Sequence, residues 1–85
     1  MKIIVYAIKS QVRNWLYVGQ TNNLERRLHE HNSGLNKSTK PYKPFDLIFH
    51  ETFSDREKAR VAEKYYKSAA GKRKLNLFLK GHGPV

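Results

Sequence analysis

Residues 15–34 decide the fold of this chain, and they read Trp-Leu-Tyr-Val-Gly-Gln-Thr-Asn-Asn-Leu-Glu-Arg-Arg-Leu-His-Glu-His-Asn-Ser-Gly. The first five residues are largely apolar, polar residues follow, and the remainder has helical spacing. Leu24 and Leu28 lie one helical turn apart, which predicts an apolar stripe that can pack against a sheet. Arg27 and His31 are also four residues apart, so their side chains share a neighbouring stripe. The stretch therefore predicts a strand, a turn and an amphipathic helix.

Two further apolar segments predict the rest of a sheet. Residues 2–9 are apolar at both odd and even positions, which indicates a central strand that packs on both faces. The short connection to residue 15 favours an antiparallel hairpin, with Tyr6 and Tyr17 on one side of the sheet. Residues 45–53 predict a third strand that has three apolar side chains on one face: Phe45, Leu47 and Phe49.

Cap-forming residues mark the helix ends. Asn22 followed by Glu25 resembles a capping box, and Ser54 followed by Glu57 has the S-x-x-E form of that box. These pairs predict helix starts at Asn22 and Ser54, and Gly34 is expected to end the first helix.

The second helix is expected to run to about Ala70 and to end at Gly71. Its predicted buried stripe consists of Ala62, Tyr65, Tyr66 and Ala69. Residues 72–80 predict a third short helix or an extended segment, because three apolar residues there have helical spacing: Leu75, Phe78 and Leu79.

The order of these elements predicts an α+β domain, a small three-stranded antiparallel β-sheet flanked by helices. Residues 1–80 are expected to form this single domain, and residues 81–85 a flexible C-terminal tail. Residues 35–44 hold two Pro and three Lys, so they predict a polar loop without regular structure. That loop is either a solvated connector or a flexible basic arm that contacts phosphates.

The chain carries 17 Lys and Arg against 7 Asp and Glu, a formal charge of +10. Nucleic acid is the leading candidate partner, because each neutralised phosphate releases a counterion. Solubility alone is the alternative explanation. The chain has no cysteine, which excludes disulfides, thiolate metal sites and Cys nucleophiles. The apolar run near the N-terminus is too short for a signal peptide or a membrane span, so a cytoplasmic location is expected.

Five residues form a candidate constellation for phosphate chemistry: Tyr6, Tyr17, Arg27, His31 and Glu63. The planar guanidinium of Arg27 suits bidentate binding of phosphate oxygens. A single carboxylate such as Glu63 suits Mg²⁺, which keeps most of its waters and takes further oxygens from phosphate. A Tyr base is credible only in a strongly cationic site, because its ordinary pKa is about 10.

Each of these residues also has a simpler explanation. The two tyrosines could be strand core residues with hydroxyls at the rim. Arg27 could pair with Glu30 or Glu25 on its own helix, and His31 could be an exposed residue that the helix dipole favours. Glu63 has Arg60 and Lys67 at helical spacing, so surface ion pairs could account for it.

Three blocks of sequence resemble the GIY-YIG nuclease family over nearly all of residues 2–79. The second signature is Tyr17-Val18-Gly19, and the following residues up to Gly34 match as well. The first signature is Ile4-Val5-Tyr6, in which Ile replaces the leading Gly, as in the compact single-domain branch of the family. A later helical block contains Asp55-Arg-Glu and Ala62-Glu63-Lys64.

The resemblance implies an endonuclease that uses one divalent ion, Mg²⁺ or Mn²⁺. It implies that Tyr6 is the general base, Tyr17 binds and orients the scissile phosphate, and Arg27 stabilises the transition state. His31 would assist as a second proton carrier or phosphate ligand, and Glu63 would hold the metal. Some members place a Lys where this chain has Gln20.

The predicted function is therefore a metal-dependent endonuclease that cleaves phosphodiester bonds, in DNA rather than RNA. A protein partner or a branched or damaged target could supply its specificity. The alternatives are a catalytically inactive basic nucleic-acid-binding module on the same scaffold and a basic adaptor for an acidic protein. The residues predicted to contact nucleic acid are Lys9, Arg26, Lys37, Lys40, Lys43, Lys72 and Asn76.

Overall fold

A computed structural model describes residues 2–79, so the predicted tail lies outside the described residues. The strands are β1 (Ile3–Ser10), β2 (Leu16–Thr21) and β3 (Phe45–Phe53). The helices are α1 (Leu24–Ser33), α2 (Arg56–Lys67) and α3 (Ala69–Leu79), and a short 3₁₀ turn spans Lys40–Tyr42 inside the predicted loop. The α+β prediction is confirmed.

Strand β1 lies at the centre of an antiparallel sheet with the order β2-β1-β3. Both faces of β1 are buried, as its uninterrupted apolar sequence predicts. Tyr6 lies opposite Gly19, and Ile8 lies opposite Tyr17. Because side chains alternate along a strand, this register places Tyr6 and Tyr17 on the same face, in agreement with the prediction.

The sheet separates two apolar cores. The core under α1 contains Tyr6, Ile8 and Phe45, and the predicted stripe residues Leu24 and Leu28 pack against it. The core under α2 and α3 consists of Ile3, Val5, Ala7, Val18, Ala59, Tyr66 and Leu75. Alternate residues of β1 therefore supply both cores.

The prediction that Phe45, Leu47 and Phe49 share one face of β3 is wrong. Phe45 belongs to the core under α1, Phe49 packs in the core under α2 and α3, and Leu47 is 38% exposed. The pairing with β1 shifts between Ala7 and Ile8, which leaves Ile48 as an extra residue in β3. Such a bulge reverses the faces of the residues that follow it.

Both predicted helix starts are wrong by one residue. The side chain of Asn23, and not that of Asn22, caps α1 by accepting from the Arg26 N–H at 3.0 Å. The carboxylate of Asp55, and not the hydroxyl of Ser54, caps α2. In each case two successive residues can cap a helix, and the second one takes the position. At the other end of α1, Gly34 adopts the left-handed conformation, as predicted.

The predicted end of the second helix is also wrong. Helix α2 stops at Ser68, and Gly71 lies inside α3. Gly71 is buried, and a Cβ added to it would lie 2.1 Å from the Tyr65 carbonyl oxygen and 2.5 Å from the Tyr66 Cα. The glycine therefore lets α3 approach the end of α2 closely. It does not terminate a helix.

The predicted stripe of α2 is correct only in part. Tyr66 is buried and Ala62 packs against the core, but Tyr65 is 43% exposed and Ala69 belongs to α3. Ala59 is fully buried in their place. The stripe is thus shifted toward the N-terminus of the helix.

Replacing Gly71 with Ala is expected to lower stability by about 1–3 kcal/mol, because the added methyl group overlaps backbone atoms of α2. At an ordinary interior helix position the same change raises stability by up to about 1 kcal/mol. Urea denaturation measures the difference. Ala70→Gly, at the exposed neighbouring position of α3, is the control and should cost about 1 kcal/mol. A stabilised Gly71→Ala variant would contradict the close approach of the two helices.

Candidate active site

A buried hydrogen bond joins the central strand to helix α1. The Tyr6 hydroxyl lies 2.8 Å from Nε2 of His31, and neither residue is exposed to solvent. On the other side of the imidazole ring, Nδ1 lies 2.9 Å from the hydroxyl of Thr39, which is buried as well. A phenol, an imidazole and a hydroxyl thus form a continuous polar chain inside an apolar core.

Gly19 makes room for the two tyrosines. It lies opposite Tyr6 across the hairpin, and a Cβ at this position would lie 2.9 Å from the Tyr6 hydroxyl and 3.0 Å from Cε2 of Tyr17. The ring centroids of the two tyrosines are 6.3 Å apart. Strand β2 therefore needs glycine at position 19, where the rings of Tyr6 and Tyr17 pack against its backbone.

Arg27 lies beside the tyrosine hydroxyls and is 31% exposed at its side chain. Its Nη1 donates a hydrogen bond to the Glu30 carboxylate at 2.9 Å. Contacts with the Tyr6 hydroxyl and with Glu30 raise the pKa of Arg27, so the guanidinium keeps its charge. The pairing of Arg27 with Glu30 is thus present together with the tyrosine contacts.

The environment keeps both Tyr6 and His31 neutral at pH 7. Burial raises the pKa of Tyr6 above its ordinary value, and the neighbouring Arg27 guanidinium acts in the opposite direction. Burial and the charge of Arg27 lower the pKa of His31, against a smaller opposing effect of Glu30. A neutral phenol therefore faces a neutral imidazole that has one free lone pair.

Glu63 reaches the sheet from the opposite face. It belongs to α2, and its side chain is only 18% exposed. The side-chain amide of Gln20 donates to its Oε1, and the Lys67 ammonium lies 2.9 Å from its Oε2. Gln20 directly follows Gly19 in the edge strand β2, and the charge of Glu63 contributes to the raised pKa of Tyr6. Glu63 is therefore near the tyrosines, across β2, although it does not share their face.

Glu63 suits one hard cation. Within residues 2–79 there is no group of three or more His, Cys, Asp or Glu side chains that could hold a metal ion. A carboxylate has about four lone-pair sites, and Gln20 and Lys67 each occupy one of its two oxygens. The remaining sites can bind Mg²⁺, which takes one or two carboxylates together with water and substrate phosphate.

Two of the predicted nucleic-acid contacts have partners within the protein. The ammonium of Lys9 donates to the carbonyl oxygens of Ser10 at 2.9 Å and Arg13 at 2.7 Å, which secures the β1–β2 turn. Arg26 lies 3.9 Å from Glu30 and is 63% exposed at its side chain, so its charge still faces solvent.

The other predicted contacts are exposed and form two groups. Lys37, Lys40 and Lys43 lie on the loop after α1, and Lys40 and Lys43 approach Gly34 at the end of that helix. Lys72 and Asn76 lie one turn apart on α3 and border a cleft with residues 14–16 at the start of β2.

Thr39 and Gln20 contact the predicted site residues, but the sequence did not indicate these contacts. Thr39 lies between Ser38 and Lys40 in a polar loop, and no spacing rule connects it with His31, eight residues earlier. For Gln20 the family resemblance indicates only that some members have Lys at this position. The pairing of Gln20 with Glu63 joins residues 43 apart in the chain.

Comparison with known proteins supports the same family. Residues 2–76 match the sequence model of the GIY-YIG catalytic domain. The UPF0213 protein YazA of Bacillus subtilis is 41% identical over 70 residues, which cover 81% of this chain and 70% of that protein. The UPF0213 protein CPE1444 of Clostridium perfringens is 38% identical over 74 residues, which cover 86% and 78% of the two chains.

A solved structure has the same fold. The solution NMR structure of the UPF0213 protein BH0048 from Bacillus halodurans superposes with a TM-score of 0.57 at 29% sequence identity. The match covers 99% of this chain and 89% of that one. The structure is thus that of a small α+β protein with a nuclease-type fold. The chain belongs to the GIY-YIG family.

Because the pKa of His31 is lowered in the folded protein, the unfolded chain binds a proton there first as the pH falls. His31 therefore contributes stability above its unfolded pKa of about 6.5, and this contribution is lost as the pH falls toward the folded value. We expect wild type to lose stability between pH 7 and pH 5 more steeply than His31→Gln, by up to about 1.4 kcal/mol per pH unit.

Urea denaturation at a series of pH values measures this difference. His29→Gln is the matched control, because His29 is exposed on the same helix, and its slope should equal that of wild type. Parallel curves for wild type and His31→Gln would contradict a neutral buried His31.

Proposed function

We propose that this protein is an endonuclease that hydrolyses phosphodiester bonds of DNA with the help of one divalent ion, Mg²⁺ or Mn²⁺. The observation that supports this most strongly is the hydrogen bond between the buried Tyr6 hydroxyl and Nε2 of His31, with Arg27 beside it. Phosphodiester hydrolysis needs a proton acceptor for the attacking water and a cation for the developing charge. In this nuclease-type fold, the Tyr6–His31 pair is the candidate proton acceptor and the adjacent Arg27 is the candidate cation.

Tyr6 is the proposed general base, and His31 is the acceptor of its proton. As the attacking water passes a proton to the Tyr6 oxygen, the hydroxyl proton of Tyr6 moves to Nε2 of His31 in the same step, so that no free phenolate forms. The water oxygen bonds to phosphorus, the bond from phosphorus to the leaving oxygen breaks, and that oxygen takes a proton from solvent. His31 then returns its proton to solvent, which restores the neutral ring. Of the two tyrosines, Tyr6 is the one that contacts His31 by a hydrogen bond.

Arg27 and Tyr17 are the proposed phosphate ligands. Both are half-buried, whereas Tyr6 is fully buried, so an incoming phosphate meets Arg27 and Tyr17 first. A guanidinium has five N–H donors, and Glu30 takes one from Nη1. Contacts with the tyrosine hydroxyls use others, and the remaining donors are available to phosphate oxygens. Access of water to the Tyr6 hydroxyl requires Tyr17 or Arg27 to move when the phosphate binds.

Glu63 is the proposed metal ligand. A Mg²⁺ or Mn²⁺ ion bound to Glu63 would neutralise charge on the phosphate and lower the pKa of the water that it binds. Gln20 orients the Glu63 carboxylate toward β2, and Lys67 holds its other oxygen. With one protein carboxylate, most of the coordination comes from water and phosphate, so binding of Mg²⁺ to the free protein is expected to be weak.

The basic surface is proposed to bind the phosphate backbone outside the scissile bond. Lys40 and Lys43 of the loop after α1 lie near Gly34 at the end of that helix, and the pair Lys72 and Asn76 borders the cleft at the start of β2. Contacts of this kind carry no sequence information, so a protein partner or an unusual DNA structure would supply specificity. A cytoplasmic location is part of the same proposal. Among residues 2–79, no helix is long and apolar enough to cross a membrane.

The test is nicking of supercoiled plasmid with Mg²⁺ or Mn²⁺. We expect wild type to nick and EDTA to abolish the activity. Arg27→Ala and Glu63→Ala should each nick about 100- to 1,000-fold more slowly, the usual cost of removing one group that stabilises transition-state charge. A labelled RNA of equal length is the second substrate, and it should be cleaved more slowly than DNA.

The controls are Arg60→Ala and Glu57→Ala, which remove one charge of each sign from an ion pair on α2 outside the site. Both should nick at the wild-type rate. Equal nicking by all variants would identify a contaminating nuclease. Salt-dependent binding to DNA without any cleavage would favour the inactive binding module.

A further inference from the structure

Thr39 is held rigidly at the base of the polar chain. Its side chain is fully buried, although it lies on an exposed basic loop between α1 and β3. Its backbone N–H donates to the Asn36 carbonyl oxygen at 3.3 Å, and its own carbonyl oxygen accepts from Tyr42 at 2.9 Å. A turn built in this way places the hydroxyl against His31 without help from the side chain of another residue.

The direction of the hydrogen bonds defines the state of the imidazole ring. The Thr39 hydroxyl donates its one proton to the Asn36 carbonyl oxygen at 3.4 Å. The same oxygen also accepts from the backbone N–H of Lys40 at 2.9 Å. With its proton directed at Asn36, the hydroxyl accepts from His31 across the 2.9 Å contact, which places the ring proton on Nδ1. A neutral imidazole has a single ring proton, so Nε2 carries the lone pair.

The Tyr6 side of the chain leads to the same tautomer. The neighbouring Arg27 guanidinium only donates, so it can occupy the oxygen of the Tyr6 hydroxyl but cannot accept its proton. Among residues 2–79, the hydrogen-bond partner at which the Tyr6 proton can end is Nε2 of His31. Both ends of the chain therefore favour Nδ1–H and a free Nε2.

We propose that Thr39 is a positioning residue that holds His31 in the Nδ1–H tautomer, so that Nε2 accepts the proton of Tyr6. The hydroxyl acts through His31 and touches no reacting atom. The contribution of Thr39 to catalysis rests on the proposed function. Its effect on the tautomer of His31 is independent of that function. Thr39 is buried and differs in this respect from its neighbours in the chain, Ser38 and Lys40, which are both exposed.

The experiment compares Thr39→Val, which keeps the shape and removes the hydroxyl, with Thr39→Ser, which restores it. Long-range proton–nitrogen NMR spectra of the His31 ring at pH 7.5 distinguish a protonated Nδ1 from a protonated Nε2. Wild type and Thr39→Ser should show Nδ1–H, and Thr39→Val should shift toward Nε2–H. Thr52→Val, at an exposed position in β3, is the matched control and should retain the wild-type spectrum.

Plasmid nicking provides the second measurement. Thr39→Val should lose about 10- to 100-fold in rate, as is typical when a group that orients an active-site imidazole is removed, and Thr39→Ser should recover most of it. A wild-type ring that carries its proton on Nε2 would overturn the proposal. This measurement needs no variant, so it remains decisive if Thr39→Val fails to fold. A slow Thr39→Val enzyme that keeps Nδ1–H would overturn it as well, because the loss would then come from packing.

The two proposals can fail separately. If wild type does not nick DNA but its His31 ring shows Nδ1–H, and Thr39→Val alone changes it, the endonuclease proposal fails and the role of Thr39 in setting the tautomer stands. If wild type nicks DNA but its His31 ring carries the proton on Nε2, the endonuclease activity stands, and both the role of Thr39 and the transfer of the Tyr6 proton to Nε2 fail.

Discussion

A hydroxyl in the middle of the central strand is the constraint on which the rest of the structure depends. Strand β1 is buried on both faces, and Tyr6 sits at its centre with no exposed surface. A buried polar group costs about 1–3 kcal/mol when it has no partner. His31 supplies that partner, and so the hydrogen bond decides where helix α1 must lie across the sheet. The same bond places a proton acceptor next to the proposed base.

The charges around this bond serve stability and chemistry together. Arg27 is held by Glu30 and by the tyrosine hydroxyls, which keeps a cation at the mouth of a buried site. The chain has an excess of ten positive charges, so repulsion opposes any further concentration of cations at one place. Glu30 and Glu63 each hold a cation of their own helix next to the site, which moderates that repulsion. Because the side chains of Arg27, Glu30 and Glu63 are already held by hydrogen bonds and ion pairs, the site is organised before a substrate binds.

Some features of the fold were beyond reach of sequence patterns because the competing choices are close in energy. Asn22 and Asn23 can both cap a helix, and so can Ser54 and Asp55; tertiary packing chose the second residue each time. Glycine is a residue type that often ends a helix, but Gly71 lies inside α3 and allows its close contact with α2. The bulge at Ile48 has no local signal, because it arises from the pairing of β3 with β1. A one-residue difference of this kind reversed the faces of Phe45 and Phe49.

Local periodicity alone determined the order of strands and helices, the central place of β1, and the side of the sheet shared by Tyr6 and Tyr17. It also placed Arg27 and His31 on one side of α1, because residues four apart in a helix are neighbours in any fold. Only the tertiary structure decided that His31 is buried between Tyr6 and Thr39, and that Glu63 meets Gln20 across the edge strand. These contacts join residues between 8 and 43 positions apart. No periodic pattern spans such distances, so packing of the two cores against one sheet brings those residues together.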